Sequence, residues 1–231
     1  IPVNENCVVG TFADDTVIMS IDRNIDTSST QNLQTALEEI EQWTKQWNIK
    51  LNSSKSIHVN FTNRKAEYKP LYIDHIVVPY SNTAKYLGMT LDAKLHWREH
   101  VKKKKSELDI KYRKINWLIG RNSTLSIHNK IMIYKQILKP VWLYGILIWG
   151  CAKNDVIRVI QTFQNKVLRN IVNAPWYVRN RVIHRDLKIN TIETEIKNKA
   201  EAHELKLQLQ LQILNNIRNN LNKKQLMQSL I

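Results

Sequence analysis

The sequence predicts an α+β fold in which short antiparallel strands and one helix come first and a set of helices follows. Up to about Asp92, short β-branched runs bounded by turn residues surround a single amphipathic helix; beyond it, apolar residues recur at helical spacing. The chain has 231 residues, 43% of them hydrophobic, so it can bury a core in one or two domains. We expect three segments, 1–92, 93–190 and 191–231, the last a helical tail.

The first segment begins with a predicted hairpin. Apolar residues 7–12 and 16–19 flank an acidic turn at 13–15, a pattern typical of two paired strands. From Gln31, apolar residues at intervals of three and four predict a helix, with candidate caps at 28–30. Its predicted apolar face comprises Leu33, Ala36, Leu37, Ile40, Trp43 and Trp47. Three further strands are predicted at 57–61, 71–78 and 86–91, the last two around a turn at 79–82.

Helices are predicted for the rest of the chain. Four of them cover 96–119, 126–138, 155–172 and 178–187, with breaks at Gly120, Pro140, Gly150 and Pro175. In the tail, residues 205–213 alternate apolar and polar at period two, which is typical of a strand, whereas Leu, Gln, Lys and Glu favour a helix. No β-branched run supports the strand, so we expect a helix there.

The positive charge is confined to one region. The net charge is +15, and residues 94–188 hold 21 Lys and Arg against five acids, with Lys102, Lys103, Lys104 and Lys105 as the densest run. Aromatic residues are interleaved with these cations, as on surfaces that bind nucleic-acid phosphates. A solvated helix face and an anionic membrane surface are the alternatives. No apolar run approaches the roughly 20 residues of a membrane-spanning helix. Two cysteines without metal-ligand spacing indicate a reduced, intracellular chain.

The acidic turn is the strongest candidate for chemistry. Asp14 and Asp15 are adjacent carboxylates that repel each other unless a positive charge lies beside them, and a divalent metal would relieve this. Aspartate is also a favoured turn residue, so a purely structural turn is the alternative. Two-metal nucleotidyl transfer would need a further carboxylate from another strand.

Several motifs resemble, in order, the reverse transcriptases of non-LTR (LINE-type, jockey-like) retrotransposons. Residues 12–16, Phe-Ala-Asp-Asp-Thr, are similar to the catalytic aspartate hairpin of that family. Residues 51–55 resemble the next palm segment, and 86–88 with 91–92 resemble the primer-grip strands. The match continues through a thumb-like region up to about residue 195, including 138–140, 164–166 and 174–180.

The resemblance implies the C-terminal part of a right-hand polymerase palm, antiparallel strands plus a helix, followed by a helical thumb. It implies RNA-directed DNA synthesis with Mg²⁺ as cofactor, an RNA template, a DNA primer and deoxynucleoside triphosphates. Asp14 and Asp15 would be the catalytic metal ligands, and Lys55 would contact the triphosphate or protonate the leaving group. Phe12 would lie against the primer terminus or nucleotide, and Leu87-Gly88 would position the primer. Lys102 to Lys105 and Arg113 would contact nucleic acid.

The chain also departs from the family pattern. In that family the fingers and the first palm aspartate precede the hairpin, whereas six residues precede Cys7 here. We therefore expect a fragment that does not polymerise by itself. The alternatives are a non-catalytic nucleic-acid-binding remnant and a helical interaction protein whose charge is incidental. Residues 96–100 also fit H-x-x-E-H, a pattern that can hold zinc on a helix but needs a third ligand.

Overall fold

A computed structural model describes residues 7–21, 28–63 and 69–228. It divides into two compact units, Ile1–His100 and Val101–Ile231. Antiparallel strand pairs occupy the first unit and helices dominate the second, which confirms the predicted α+β class. The finer division into segments 1–92, 93–190 and 191–231 stays a prediction. Among the described helices, none is long and apolar enough to cross a membrane.

Three hairpins and one long helix make up the described part of the first unit. The elements are β1 (Cys7–Phe12), β2 (Asp15–Ser20), α1 (Ser28–Gln46), β3 (Tyr72–Ile73), β4 (Ile76–Val77), β5 (Thr83–Tyr86) and β6 (Met89–Asp92). The antiparallel pairs are β1–β2, β3–β4 and β5–β6. The first hairpin and the helix are confirmed, because apolar runs around a turn and helical spacing are local patterns. The helix begins at Ser28, so the candidate caps at 28–30 lie within it, and Trp47, expected on its apolar face, lies beyond its end and is 66% exposed.

Side chains of α1 hold the β3–β4 hairpin. The Gln34 side chain accepts from the Tyr72 backbone N–H at 2.9 Å and donates to the Tyr72 carbonyl at 3.2 Å. Glu41 accepts from the Asp74 N–H at 2.8 Å. Beneath these bonds the buried residues Leu71, Ile73 and Val78 pack with the partly buried Leu33, Leu37 and Leu51. The helix therefore contributes Leu33 and Leu37 to this core and holds the hairpin by hydrogen bonds of Gln34 and Glu41.

Two of the expected strands are in fact hairpins. Residues 71–78 turn back at Asp74 and His75, which have φ values of 47° and 63°. Asp and His are among the residues that tolerate this left-handed region. The span 86–91 turns at Leu87 and Gly88, with φ values of 45° and 73°, as a type I′ turn requires at both central positions. Residues 57–61 form no strand, only a bridge between His58 and Tyr80.

The second unit is built from helices. They are α2 (Arg98–Ile119), whose first turn lies in the first unit, α3 (Ile127–Ile133), α4 (Lys139–Leu143), α5 (Ile146–Trp149), α6 (Asn154–Ile171), α7 (Asn180–Asp186) and α8 (Ile192–Gln228), with a π-helical turn at Tyr134–Leu138. The helices expected near 96–119, 155–172 and 178–187 and the helical tail are confirmed. The large side chains that are fully buried include Tyr134, Trp142, Trp149 and Phe163.

Pro140 does not break the chain as expected. It lies in the first turn of α4, directly after the π-helical turn, and the Lys139 N–H donates to the Tyr134 carbonyl five residues earlier. A proline ring clashes with the carbonyl four residues before it in a regular α-helix, and the wider π-helical turn relieves that clash. The chain therefore stays helical through Pro140.

Tyr134 and Gln164 form the centre of a buried polar network in the second unit. The Gln164 amide donates to the Tyr134 hydroxyl and to the Asn190 carbonyl, both at 3.0 Å. Burial raises the pKa of Tyr134 to about 12, although the hydrogen bond from Gln164 acts in the opposite direction. The phenol stays protonated at physiological pH, and the network ties α6 to the π-helical turn and to the segment before α8.

Lys130 closes the C-terminal end of α2, and its loss should destabilise the second unit. Its side chain is buried at 5% exposure, and Nζ donates to the carbonyls of Gly120 and Ser123 at 3.1 and 3.0 Å. Because Lys130→Met leaves these carbonyls without their charged donor, we expect a loss of about 2 kcal/mol in the free energy of unfolding. Denaturant titration measures it. The exposed neighbour Lys135→Met is the control, with an expected change within about 0.5 kcal/mol. Equal effects would contradict the capping role.

Candidate active site and nucleic-acid interface

The two aspartates lie at the tip of the β1–β2 hairpin. Phe12 pairs with Asp15 in the register, so the turn itself consists of Ala13 and Asp14, and Asp15 is the first residue of β2. Ala13 has a φ of 53°, a left-handed conformation that a two-residue hairpin turn requires at its first central position. Both carboxylates are exposed, and Phe12 beside them is 64% exposed. The tight turn thus presents two carboxylates and one aromatic ring to solvent.

Lys55 and the Leu87-Gly88 turn lie on other elements of the same unit. Lys55 is exposed in a turn organised by Asn52, whose side-chain oxygen accepts from Ser54 at 2.7 Å and from the Lys55 N–H at 3.2 Å. Gly88 is exposed and Leu87 half-buried at the tip of the β5–β6 hairpin. Lys55 and this second tip therefore lie on turns other than the one that carries the aspartates. Their joint action on one substrate stays a prediction.

The zinc hypothesis for residues 96–100 is not supported. The helix begins at Arg98, so His96 precedes it, and its backbone N–H donates to Asp92 at 2.9 Å. His100 is buried, and its Nδ1 accepts from the Thr90 N–H at 3.2 Å. Within residues 7–21, 28–63 and 69–228, no group of three or more His, Cys, Asp or Glu could hold a metal ion. Both histidines instead have hydrogen bonds to residues of β6, His96 to Asp92 and His100 to Thr90.

The lysine run divides into two exposed and two half-buried side chains. Lys102 and Lys103 are exposed. Lys104 lies 3.4 Å from the Glu107 carboxylate and 5.6 Å from the centre of the Tyr144 ring, and Lys105 forms an ion pair with Asp109. Partial burial would raise the pKa of Glu107, but Lys111 and Lys104 together hold it below its usual value. Two of the four lysines thus direct their charge toward their own unit.

A groove of about 430 Å³ lies between α2 and α6 in the second unit. Its lining is Lys105, Asp109, Tyr112, Arg113, Asn116 and Lys166. Arg113 and Lys166 are exposed, and Lys102 lies on the same face of α2, one turn before Lys105. Sequence reasoning picked out Arg113 but not Lys166 as a binding residue. Lys166 comes 53 positions after Arg113 in the chain, and only the packing of α6 beside α2 brings the two cations to one groove.

Comparison with known proteins shows the family to which the segment that contains the β1–β2 hairpin belongs. Residues 2–91 match the family described as reverse transcriptase (RNA-dependent DNA polymerase). These residues belong to the reverse transcriptase family. The reverse transcriptase segment therefore contains Asp14, Asp15, Lys55 and the Leu87-Gly88 turn, whereas the groove between α2 and α6 lies outside it.

Similarity to reverse transcriptases of mobile elements extends beyond this segment. The chain is 41% identical over 198 residues to the probable RNA-directed DNA polymerase from transposon X-element of Drosophila melanogaster, covering 85% of this chain and 22% of the relative. It is 34% identical to the RNA-directed DNA polymerase from mobile element jockey of the same species, over 86% of this chain and 22% of the relative. The chain thus spans less than a quarter of the length of these relatives. No solved structure gives a significant match.

Reverse transcriptases generally use divalent metal ions. The donor atoms at the tip of the β1–β2 hairpin are of the chemical type that binds such ions. Mg²⁺ prefers hard oxygen ligands and is commonly bound by one or two carboxylates together with substrate phosphates and water. Asp14 and Asp15 supply exposed carboxylate oxygens on adjacent positions of a tight turn. The donor set therefore fits Mg²⁺ in a site completed by further ligands.

Proposed function

We propose that this chain is part of an RNA-directed DNA polymerase of a non-LTR transposon and carries catalytic aspartates of two-metal nucleotidyl transfer. The observation that supports this most is the exposed Asp14-Asp15 pair at a hairpin tip inside the reverse transcriptase segment. In this proposal the two carboxylates bind Mg²⁺, with Asp14 as the stronger ligand. Bound Mg²⁺ would activate the primer hydroxyl and stabilise the leaving pyrophosphate.

Other residues of the first unit are proposed to position the substrates. Lys55 contacts the triphosphate or gives a proton to the leaving group, which its exposed ammonium can do. Phe12 packs against the primer terminus or the incoming nucleotide with its exposed ring. The Leu87-Gly88 turn positions the primer. The substrates are an RNA template, a DNA primer and deoxynucleoside triphosphates.

The helical unit is proposed to hold the template–primer duplex by its phosphates. The cations proposed for this are Lys102, Lys103, Arg113 and Lys166, whose side chains are exposed on α2 and α6. Phosphate contacts of this kind fix the position of a duplex without reading its sequence. The half-buried Lys104 and Lys105, which are paired with Glu107 and Asp109, have a smaller part in this contact.

The chain by itself is proposed not to extend a primer. In the part of the chain that the structure describes, no third acidic side chain joins Asp14 and Asp15 to complete a metal-binding group. The same observation, with the basic groove, favours a second candidate function, a nucleic-acid-binding remnant without catalysis. The two candidates differ in whether the aspartate pair binds a divalent ion at all.

Binding of Mn²⁺ at the hairpin tip tests the proposal directly. Mn²⁺ takes the same oxygen ligands as Mg²⁺ and broadens nearby amide resonances. We expect substoichiometric Mn²⁺ to broaden residues 12–16 first in the nuclear magnetic resonance spectrum of the 231-residue chain. The double variant Asp14→Asn/Asp15→Asn should lose this effect, and Glu204→Gln, an exposed acid on α8, should keep it. Even broadening at all exposed acids would favour the remnant.

A further inference from the structure

Two adjacent aromatic side chains stand out from the surface of the second unit. Trp176 and Tyr177 are 89% and 70% exposed, and their ring centres lie 6.0 Å apart with an angle of 82° between the planes. We call this pair the aromatic corner. By contrast, Trp142 and Trp149 in the same unit are each 1% exposed. Burial of a large aromatic side chain stabilises the folded state, and an exposed indole lacks most of this stabilisation. The exposure of Trp176 therefore needs a physical reason.

The backbone that carries the aromatic corner is firmly held. The Arg169 guanidinium donates to the Pro175 carbonyl at 2.7 Å, to the Val178 carbonyl at 2.6 Å and to the Asn180 side chain at 2.8 Å. These three bonds clamp the loop on both sides of Trp176 and Tyr177. The rings are therefore presented to solvent on a preorganised support, and a ligand that binds them need not order the loop.

The charge around the aromatic corner is positive. Residues 169–188 contain five Lys and Arg against one acid, Asp186, which pairs with Arg185 at 3.0 Å. Arg169 is engaged in the clamp, whereas Arg179, Arg181 and Lys188 are exposed. Open aromatic faces beside exposed arginines suit a ligand that combines flat π-systems with negative charge.

Among macromolecules, single-stranded nucleic acid has this combination. Unpaired bases stack on exposed aromatic rings while the neighbouring phosphates meet cations. In a duplex the base faces are stacked on one another and cannot reach Trp176 or Tyr177. An acidic peptide would satisfy the arginines and leave the ring faces in water. The nearly perpendicular rings also form a corner in which a base stacked on one ring meets the other with its edge.

We propose that Trp176, Tyr177, Arg179 and Arg181 form a binding site for an unpaired nucleotide of a single strand. The site lies outside the reverse transcriptase segment and does not involve Asp14 or Asp15. It rests on the proposed function only in that the partner is nucleic acid. RNA and DNA share the required base and phosphate chemistry, so both are sources to be distinguished by experiment.

The test is fluorescence anisotropy of the full chain with labelled 12-nucleotide strands. Four probes are used: oligo(rA), oligo(dA), an abasic deoxyribose strand of the same length, and a DNA duplex. Trp176→Ala/Tyr177→Ala should weaken binding of the base-bearing strands by about 5-fold to 100-fold, the range for loss of one stacked base. Affinity for the abasic strand and for the duplex should not change. Trp176→Phe, which keeps an aromatic face, should retain most of the affinity.

Matched variants separate stacking from charge and from misfolding. Trp117→Ala removes a 74% exposed indole from α2 and should leave single-strand binding unchanged. Arg179→Gln/Arg181→Gln should weaken base-bearing and abasic strands alike and lower the salt slope by about 0.7 for each lost phosphate contact. Circular dichroism confirms that each variant is folded.

The binding measurements either support or overturn the proposed nucleotide-binding site. Equal loss on oligo(rA) and oligo(dA) supports stacking alone, and a loss confined to oligo(rA) supports stacking with a contact to the 2′-hydroxyl. Unchanged affinity of the double alanine variant for base-bearing strands would overturn the site and leave the aromatic corner to another class of partner. Equal loss on the abasic strand would overturn it too. Neither result depends on Mn²⁺ binding at the hairpin tip, so the two proposals fail separately.

Discussion

Replacing Asp14 with Asn should lower DNA synthesis on the order of 1000-fold in a polymerase that contains this hairpin. Metal coordination at the reacting phosphate contributes several kcal/mol of transition-state stabilisation, and each 1.36 kcal/mol is a factor of ten in rate. Asn keeps the size and the turn-forming capacity of Asp but removes the charge that holds Mg²⁺. Asp14 lies in the two-residue turn and is exposed, so the substitution should leave the hairpin register intact.

A chimera provides the working enzyme for this measurement. Residues 7–92 would replace the matching segment of the X-element relative, to which the chain is 41% identical. Primer extension on an RNA template with Mg²⁺ is followed for the chimera, for its Asp14→Asn and Asp15→Asn variants, and for Asp74→Asn. The last is the matched control, since Asp74 also lies in a hairpin turn but pairs with Lys45 at 3.0 Å.

The expected pattern is loss of extension with either hairpin aspartate changed and near-normal extension with Asp74→Asn. The 231-residue chain alone should extend nothing. Full activity of the Asp14→Asn chimera would remove the catalytic role from this hairpin. Extension by the chain alone would refute its proposed incompleteness. A loss that is equally large in Asp74→Asn would point to unfolding of the unit.

The parts of the fold that could be predicted are those that a local pattern specifies. The β1–β2 hairpin has short apolar runs on both sides of an acidic turn, and α2 and α6 have long stretches of helical spacing. The apolar runs at 71–78 and 86–91 predict single strands, which is wrong, because a two-residue turn inside a short run hardly alters its composition. Residues 57–61 alternate like a strand but have only one bridge to pair with, at Tyr80.

The candidate site was predictable where chemistry and position coincide in the sequence. Asp14 and Asp15 are conspicuous as adjacent acids between apolar strands. The binding surface of the helical unit was not predictable, because it depends on tertiary contacts. In the sequence Lys102 to Lys105 form one equivalent run, whereas in the structure two of these side chains are exposed and two are half-buried. Likewise, tryptophans of globular chains are on average highly buried, so residue type alone does not indicate that Trp176 is exposed whereas Trp149 is buried.

The difference in exposure within the run Lys102 to Lys105 predicts how the affinity for a duplex depends on salt concentration. If Lys102, Lys103, Arg113 and Lys166 each neutralise one phosphate, the logarithmic salt slope is about −3.6 for B-form DNA. Affinity should then fall on the order of 100-fold between about 50 and 200 mM salt. Anisotropy titrations of the chain with a labelled duplex at several salt concentrations measure this slope. Duplexes of different sequence should give the same result, since phosphates carry no sequence information.

Paired variants then show which lysines face the duplex. Lys102→Gln/Lys103→Gln should reduce the slope by about 2, one for each lost phosphate contact. Lys104→Gln/Lys105→Gln removes the same formal charge from the same turn of α2, but these side chains are half-buried beside Glu107 and Asp109 instead of exposed. Their loss should change the slope much less and lower the stability of the second unit instead. A larger slope change in the second pair, or equal affinity at low and high salt, would exclude α2 as the phosphate-binding face.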